Sequence, residues 1–228
     1  RKNIISVGAK VSLAQIQSYV KSSIPEFSRF LNIFASPQIK SVATLAGNIA
    51  NASPVADTVP FLYAVDATVE VAGTAGLRKI PICDFFLGYK KLDLSADEII
   101  SKICIPIPNS ASLLRLYKIS QRRDLDISAV NAAFLFDFDA KGKSGKVIKG
   151  CRIAYGGVGP TCLRLRKCED LLTGKLLSLA TSSANTELLN AALSIIDQEI
   201  SPLSDVRGSE AYRRKAAAGL FRKFWNEM

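Results

Sequence analysis

The chain has 228 residues, 48% of them hydrophobic and 22% charged, with a formal net charge of +10. That is enough apolar material for one large domain or two small ones, and no run approaches the length of apolar residues that a membrane-spanning helix needs. Histidine is absent, which excludes a Ser-His-Asp triad, a Cys-His pair and any His-ligated metal within these residues.

The opening Arg1-Lys2-Asn3 leads straight into apolar residues, with neither an initiator Met nor a signal-peptide layout, and reads as the middle of a longer chain. Residues 3–7 are expected to form a strand. Ser12 followed by Gln15 predicts a capping box and a helix through about Lys21, and Pro25 suits the first turn of another. Phe27, Phe30, Leu31 and Phe34 follow at helical spacing and share one apolar face. Residues 41–58 are small, polar-punctuated and nearly aperiodic, which predicts a loop. A short helix from Phe61, a strand at 68–72, a Gly-containing turn at 73–76 and a second strand through Ile82 come next. Residues 99–107 read as a strand, and Asn109-Ser110 is the expected boundary between two subdomains, 1–108 and 109–228. Strands are expected over 113–119, 132–138 and 147–155, the last two joined by a polar tip at 140–146. Helices are expected over 164–173, stopped by Gly174, over 185–198, and from Ser209 to Asn226. Strands grouped apart from helices point to the α+β class.

The five cysteines, Cys83, Cys104, Cys151, Cys162 and Cys168, form no C-x-x-C pair, so neither a zinc ribbon nor a Cys-ligated iron–sulfur cluster is expected here. An odd count without framework spacing suits a reducing cytoplasm. The densest basic cluster, Arg213-Arg214-Lys215 with Arg222-Lys223, reads as the solvated face of an amphipathic helix; a nucleic-acid surface is the alternative. One segment invites a chemical reading. Thr44-Leu45-Ala46-Gly47-Asn48 combines a hydroxyl, small side chains and an amide, and a turn at Gly47 with φ > 0 would expose backbone N–H groups to an anion such as a diphosphate. Asp57 could then accept hydrogen bonds from ribose or ribityl hydroxyls. A plain Gly-Asn turn is the competing reading, and neither G-x-G-x-x-G nor G-K-[ST] is present.

The run 39–49 followed by Ala52-Ser53-Pro54-Val55-Ala56-Asp57 resembles the FAD-binding motif of the molybdenum hydroxylase flavoproteins, roughly S-x-G-G-N-I…S-P-x-x-D. Further similarities follow in order at 85–91 (FFLGYKK), 97–100, 117–123 (YKISQRR), 126–130 (DISAV) and 154–158 (AYGGV). The end, Leu203-Ser204-Asp205-Val206-Arg207 with Ala211-Tyr212-Arg213, is similar to the bacterial xanthine dehydrogenase small subunit. The resemblance covers nearly the whole chain. It implies the second half of a vanillyl-alcohol-oxidase-type FAD-binding domain, then an α+β domain like the C-terminal domain of the carbon monoxide dehydrogenase flavoprotein. It also implies FAD passing electrons to NAD+, received from 2Fe–2S and molybdopterin centres on an upstream iron–sulfur domain and a large subunit, in a cytoplasmic hetero-oligomer.

By the same resemblance, Thr44, Leu45, Ala46, Gly47 and Asn48 line the FAD diphosphate and ribityl chain, and Asp57 bonds a cofactor hydroxyl. Phe34 and Ile100 contact the cofactor or simply fill the core; Lys118 lies beside the cofactor or at an exposed strand end. Arg122, Arg123 and Asp124 border the flavin or form a solvated charge cluster. Two departures stand out. Ala46 replaces the first glycine of the family pair, and the family's first FAD segment is expected upstream of Arg1. The other readings are a flavin subunit of an aldehyde oxidase or carbon monoxide dehydrogenase type, and a non-catalytic docking module.

Overall fold

The first strand, β1 (Ile4–Gly8), leads to α1 (Leu13–Tyr19), and the expected capping box is there: the Ser12 hydroxyl accepts from Gln15 N while the Gln15 side chain accepts from Ser12 N. The protein is described by a computed structural model over residues 3–123, 125–140, 145–178 and 183–228. Pro25 opens α2 (Pro25–Phe30), which a 3-10 turn (Leu31–Ile33) continues. Phe27, Phe30 and Leu31 are buried, and Phe27 stacks on Phe61 with ring centroids 3.9 Å apart. Phe34 falls beyond the turn and is half-buried.

The segment 41–58 departs from expectation. Instead of a loop with a left-handed Gly47, two short helices occupy its first part, α3 (Pro37–Val42) capped by Ser36 and α4 (Leu45–Ala50) capped by Thr44. Gly47 lies in the first turn of α4 without a positive φ; the left-handed residue is Ala52, at φ 48°. The hydroxyl caps satisfy N–H groups that a first turn leaves unpaired. Leu45 and Ile49, four residues apart, are both fully buried and make a one-stripe helix that the small residues between them conceal.

The chain continues through α5 (Val59–Ala64), the hairpin of β2 (Thr68–Gly73) and β3 (Gly76–Pro81), α6 (Ile82–Phe85), the small hairpin of β4 (Phe86–Gly88) and β5 (Lys91–Leu92), and β6 (Ile99–Pro106). β3 ends one residue before the expected Ile82, which starts α6 instead. A four-stranded antiparallel sheet results, in the order β1-β6-β2-β3.

The rest comprises β7 (Leu113–Ile119), β8 (Val130–Ala140), β9 (Gly145–Gly156), β10 (Leu163–Arg164), α7 (Arg166–Leu172), β11 (Leu176–Ser178), α8 (Ser183–Glu199) and α9 (Glu210–Glu227). The second sheet runs β10-β9-β8-β7, with β11 also paired to β9. Residues 141–144 of the expected hairpin tip lie outside the described residues. The helix expected from 164 starts at Arg166, because 163–164 pair with Tyr155 and Ala154 of β9. Gly174, at φ 82°, follows α7 as its sequence position suggests.

β8 is apolar almost throughout because both of its faces are covered. Val130, Ala132, Phe134 and Phe136 face one core, where Phe134 meets Tyr155, Phe221 and Phe224. Ala133 and Leu135 face the other, built from the first sheet and α1, α2, α4 and α5. α5 packs on β8 and β9, and its apolar side chains belong to the core shared with the first sheet. Helices and strands are segregated in each half, as the α+β class requires. One charge expectation fails: Arg213 is 2% exposed and bonds four carbonyl or carboxylate partners, so it does not belong to a solvated face.

Candidate functional site

Asp57, just before α5, is the hub of a buried polar cluster. Its side chain is 9% exposed and that of Lys118, on β7, is 4% exposed. Oδ2 accepts from Lys118 Nζ at 2.7 Å; Oδ1 accepts from the Ser128 hydroxyl and from Asn131 Nδ2 at 3.0 Å. Lys118 directs further N–H bonds to the carbonyls of Ile33 (3.1 Å) and Phe34 (3.3 Å). An ammonium has three donors and a carboxylate about four acceptor positions. Lys118 is therefore fully engaged by protein, while Asp57 keeps one acceptor position among the described residues.

Two glycines make room for this cluster. Asn131 Nδ2 also donates to Val55 O at 3.2 Å, so both neighbours of that nitrogen are acceptors and the amide orientation is forced. Its Oδ1 is left buried without a partner among the described residues. A Cβ on Gly156 would lie 2.2 Å from that oxygen. Gly157 has φ 81°, a conformation L side chains rarely adopt, and a Cβ there would lie 2.2 Å from Ala129 O. Gly157 N donates to Pro54 O at 2.8 Å. From α9, Arg213 reaches in to the carbonyls of Ala129, Gly157 and Gly208 and to Asp205. Segments 53–57, 117–123, 126–130, 154–158 and 203–213, far apart in sequence, thus meet at one place.

Thr44–Asn48 are connected to this cluster through α4. Ser12 and Thr44, the caps of α1 and α4, pair as an antiparallel bridge, and Leu13 N donates to Ala43 O at 2.8 Å. The N-termini of two helices, where anions are favoured, therefore abut. Thr44 Oγ1 accepts from Gly47 N at 2.9 Å, which leaves the hydroxyl proton free to donate. Leu45 and Ala46 are buried, so the Ala46 methyl points into the core and the family's missing glycine does not crowd the outer face. Gly47 is exposed, and a Cβ there would meet only Thr44 Oγ1, at 3.1 Å. Asn48 Oδ1 accepts from the buried Thr58 hydroxyl at 2.6 Å, next to Asp57. Lys90 donates to Asn51 O at 2.6 Å, at the far end of α4. Ile100, on β6, joins the first apolar core and not the polar cluster.

Arg122 is exposed and pairs with Asp126 at 3.7 Å, Arg123 is exposed, and Asp124 lies outside the described residues. Burial pushes the thiols of Cys162 and Cys168 up, and that of Cys151 up to about 12, so none is a thiolate nucleophile near neutral pH. Ser12, Ser128, Asn131 and Arg213 take part in this arrangement without having been singled out as site residues. The signal for Asn131 was a lone amide in the apolar run 129–136.

Residues 1–108 match the FAD binding domain in molybdopterin dehydrogenase, and residues 115–228 the CO dehydrogenase flavoprotein C-terminal domain. The chain belongs to the molybdenum hydroxylase flavoprotein family. Among its relatives, xanthine dehydrogenase of Blastobotrys adeninivorans is 34% identical over 97% of this chain and 16% of that protein. The nicotinate dehydrogenase FAD-subunit of Eubacterium barkeri is 27% identical over 98% of this chain and 74% of its own length. The fold matches carbon monoxide dehydrogenase from Hydrogenophaga pseudoflava at a TM-score of 0.85, with 24% identity, covering 98% of this chain and 75% of that one. The chain thus spans only about a sixth of the longer curated relatives, 16% in the case above. The residues present fit FAD. The Thr44 hydroxyl and the bare outer turn at Gly47 suit a diphosphate, and the free acceptor position on Asp57 suits a sugar-like hydroxyl.

Proposed function

We propose that the chain is the FAD-carrying component of a cytoplasmic xanthine dehydrogenase, working beside an iron–sulfur domain and a molybdopterin-binding large subunit in a hetero-oligomer, with NAD+ as acceptor. The observation that carries the reading is Asp57: buried and, among the described residues, held by three donors and one acceptor position short of full use. When bound, FAD supplies the exchange between single-electron carriers and a hydride acceptor. The chain's own residues bind and orient. Thr44 and the first turn of α4 take the diphosphate, Asp57 accepts from a hydroxyl, and Lys118 fixes Asp57 against the backbone of Phe34. The side chains of Phe34 and Ile100 supply apolar surface, and Leu45, Ala46 and Asn48 set the position of the α4 turn. We place the boundary between the FAD-binding part, 1–108, and the C-terminal part, 109–228, at Asn109-Ser110.

The test is Asp57→Ala in the complete natural protein. FAD affinity should fall roughly tenfold or more, the scale of one buried charge-assisted hydrogen bond, with NADH formation falling in step. Unchanged FAD content and unchanged NADH formation would remove Asp57 from the site. A second reading, the flavin component of a nicotinate-oxidising enzyme, is favoured by the Eubacterium barkeri relative. It separates from the first by whether xanthine or nicotinate drives NAD+ reduction.

A further inference from the structure

We propose that Ser128 and Asn131 are positioning residues of the FAD site, fixing the Asp57 carboxylate so that its one free acceptor position is offered to a cofactor hydroxyl. This rests on Asp57 being a cofactor residue and adds what sets its orientation. Charge balance does not require them. Among the described residues Lys118 alone pairs with Asp57 as a cation, through Oδ2, whereas Ser128 and Asn131 are neutral and act on the other oxygen. What two such donors add is direction: a carboxylate held at both oxygens cannot rotate about its Cβ–Cγ bond.

The surroundings bear this out. Ser128 is completely buried, and among the described residues its hydroxyl has no partner other than Asp57. Asn131 is 1% exposed and keeps its amide turned towards Asp57 and Val55 O at the expense of a buried, unpartnered Oδ1. An apolar residue in this apolar strand would avoid that cost. Behind them, Gly156 has no side chain to strike Asn131, and Arg213 pins Ala129 O between the two positioning residues. The geometry of a site in the first half is thus set by donors from the second.

A double-mutant cycle on the complete natural protein tests the role, with FAD binding to the apoprotein followed by flavin fluorescence and folding by circular dichroism. Ser128→Ala should weaken FAD binding about tenfold when Asp57 is present, and by less than about twofold in an Asp57→Ala background, because its effect passes through the carboxylate. Asn131→Ala should behave likewise. Should Ser128→Ala fail to fold, Ser128→Cys keeps the shape with a weaker donor and should give a smaller, equally Asp57-dependent loss. Equal losses in both backgrounds, or none in either, overturn the positioning role. A wild-type apoprotein that takes up no FAD overturns instead the reading beneath it, and the positioning role with it.

Discussion

α5 is flanked by two aspartates, and the second sheet answers them differently. Asp57, on its N-terminal side, is 9% exposed and is met by one lysine and two neutral donors. Asp66, on its C-terminal side, is left-handed at φ 53°, 42% exposed, and held by two arginines: Arg152 at 2.6 Å, and Arg164, which also grips Glu169 through two nitrogens. Burial alone would raise the Asp66 carboxyl, but the two guanidinium groups outweigh it and hold the group below the usual carboxylate range. The two guanidinium groups take one oxygen each and water can take the remaining acceptor positions of a carboxylate 42% exposed, so the Asp66 end is a fastener between the halves. At Asp57 the remaining acceptor position lies in the interior, shielded from bulk water, and that burial is what separates the two carboxylates.

The contrast can be broken most forcefully at Lys118. Lys118→Met removes the one cation that, among the described residues, pairs with a carboxylate buried beneath two neutral donors, and should cost about 3–5 kcal/mol of stability, read from urea unfolding midpoints. The counterpart at the other end is mild. Arg152→Met leaves Asp66 to Arg164 and to solvent and should cost no more than about 1 kcal/mol in the same measurement. If the two losses came out equal, the distinction between an interior site and a surface fastener would be wrong. The finest effect is on acid stability. The folded Asp66 carboxyl titrates below its unfolded value near about 3.9, so its stabilisation is complete above that pH and is lost as the pH falls below it. Asp66→Asn should therefore flatten the decline in unfolding midpoint between about pH 4 and pH 2, while leaving the trend above about pH 5 unchanged.

The second half was the more legible in sequence. β7 occupies the expected 113–119 to the residue, and α9 starts at Glu210, next to the expected Ser209, which proves to be its cap. α4 was hidden because its stripe consists of only Leu45 and Ile49, with Ala, Gly and Asn between them, and a six-residue helix offers no second repeat. Asp57 drew notice as an acceptor near the Thr44–Asn48 segment, whereas Lys118 was singled out through family resemblance alone. Nothing local shows that residues 61 apart will meet. Ser128 and Asn131 were less visible still, since they act through a carboxylate 71 and 74 residues away, and a serine or asparagine near a strand start has many ordinary explanations. Arg213 was misjudged for the same reason. Its basic neighbours suggested water, while carbonyls from two other segments awaited it inside.

β8 lends alternate side chains to both apolar cores. Ala133 and Leu135 fill one core and Phe134 and Phe136 the other, so loosening this strand disturbs both. The helix that carries the single tryptophan, Trp225, packs against the second of these cores, so that indole is placed to report on disturbance of the strand.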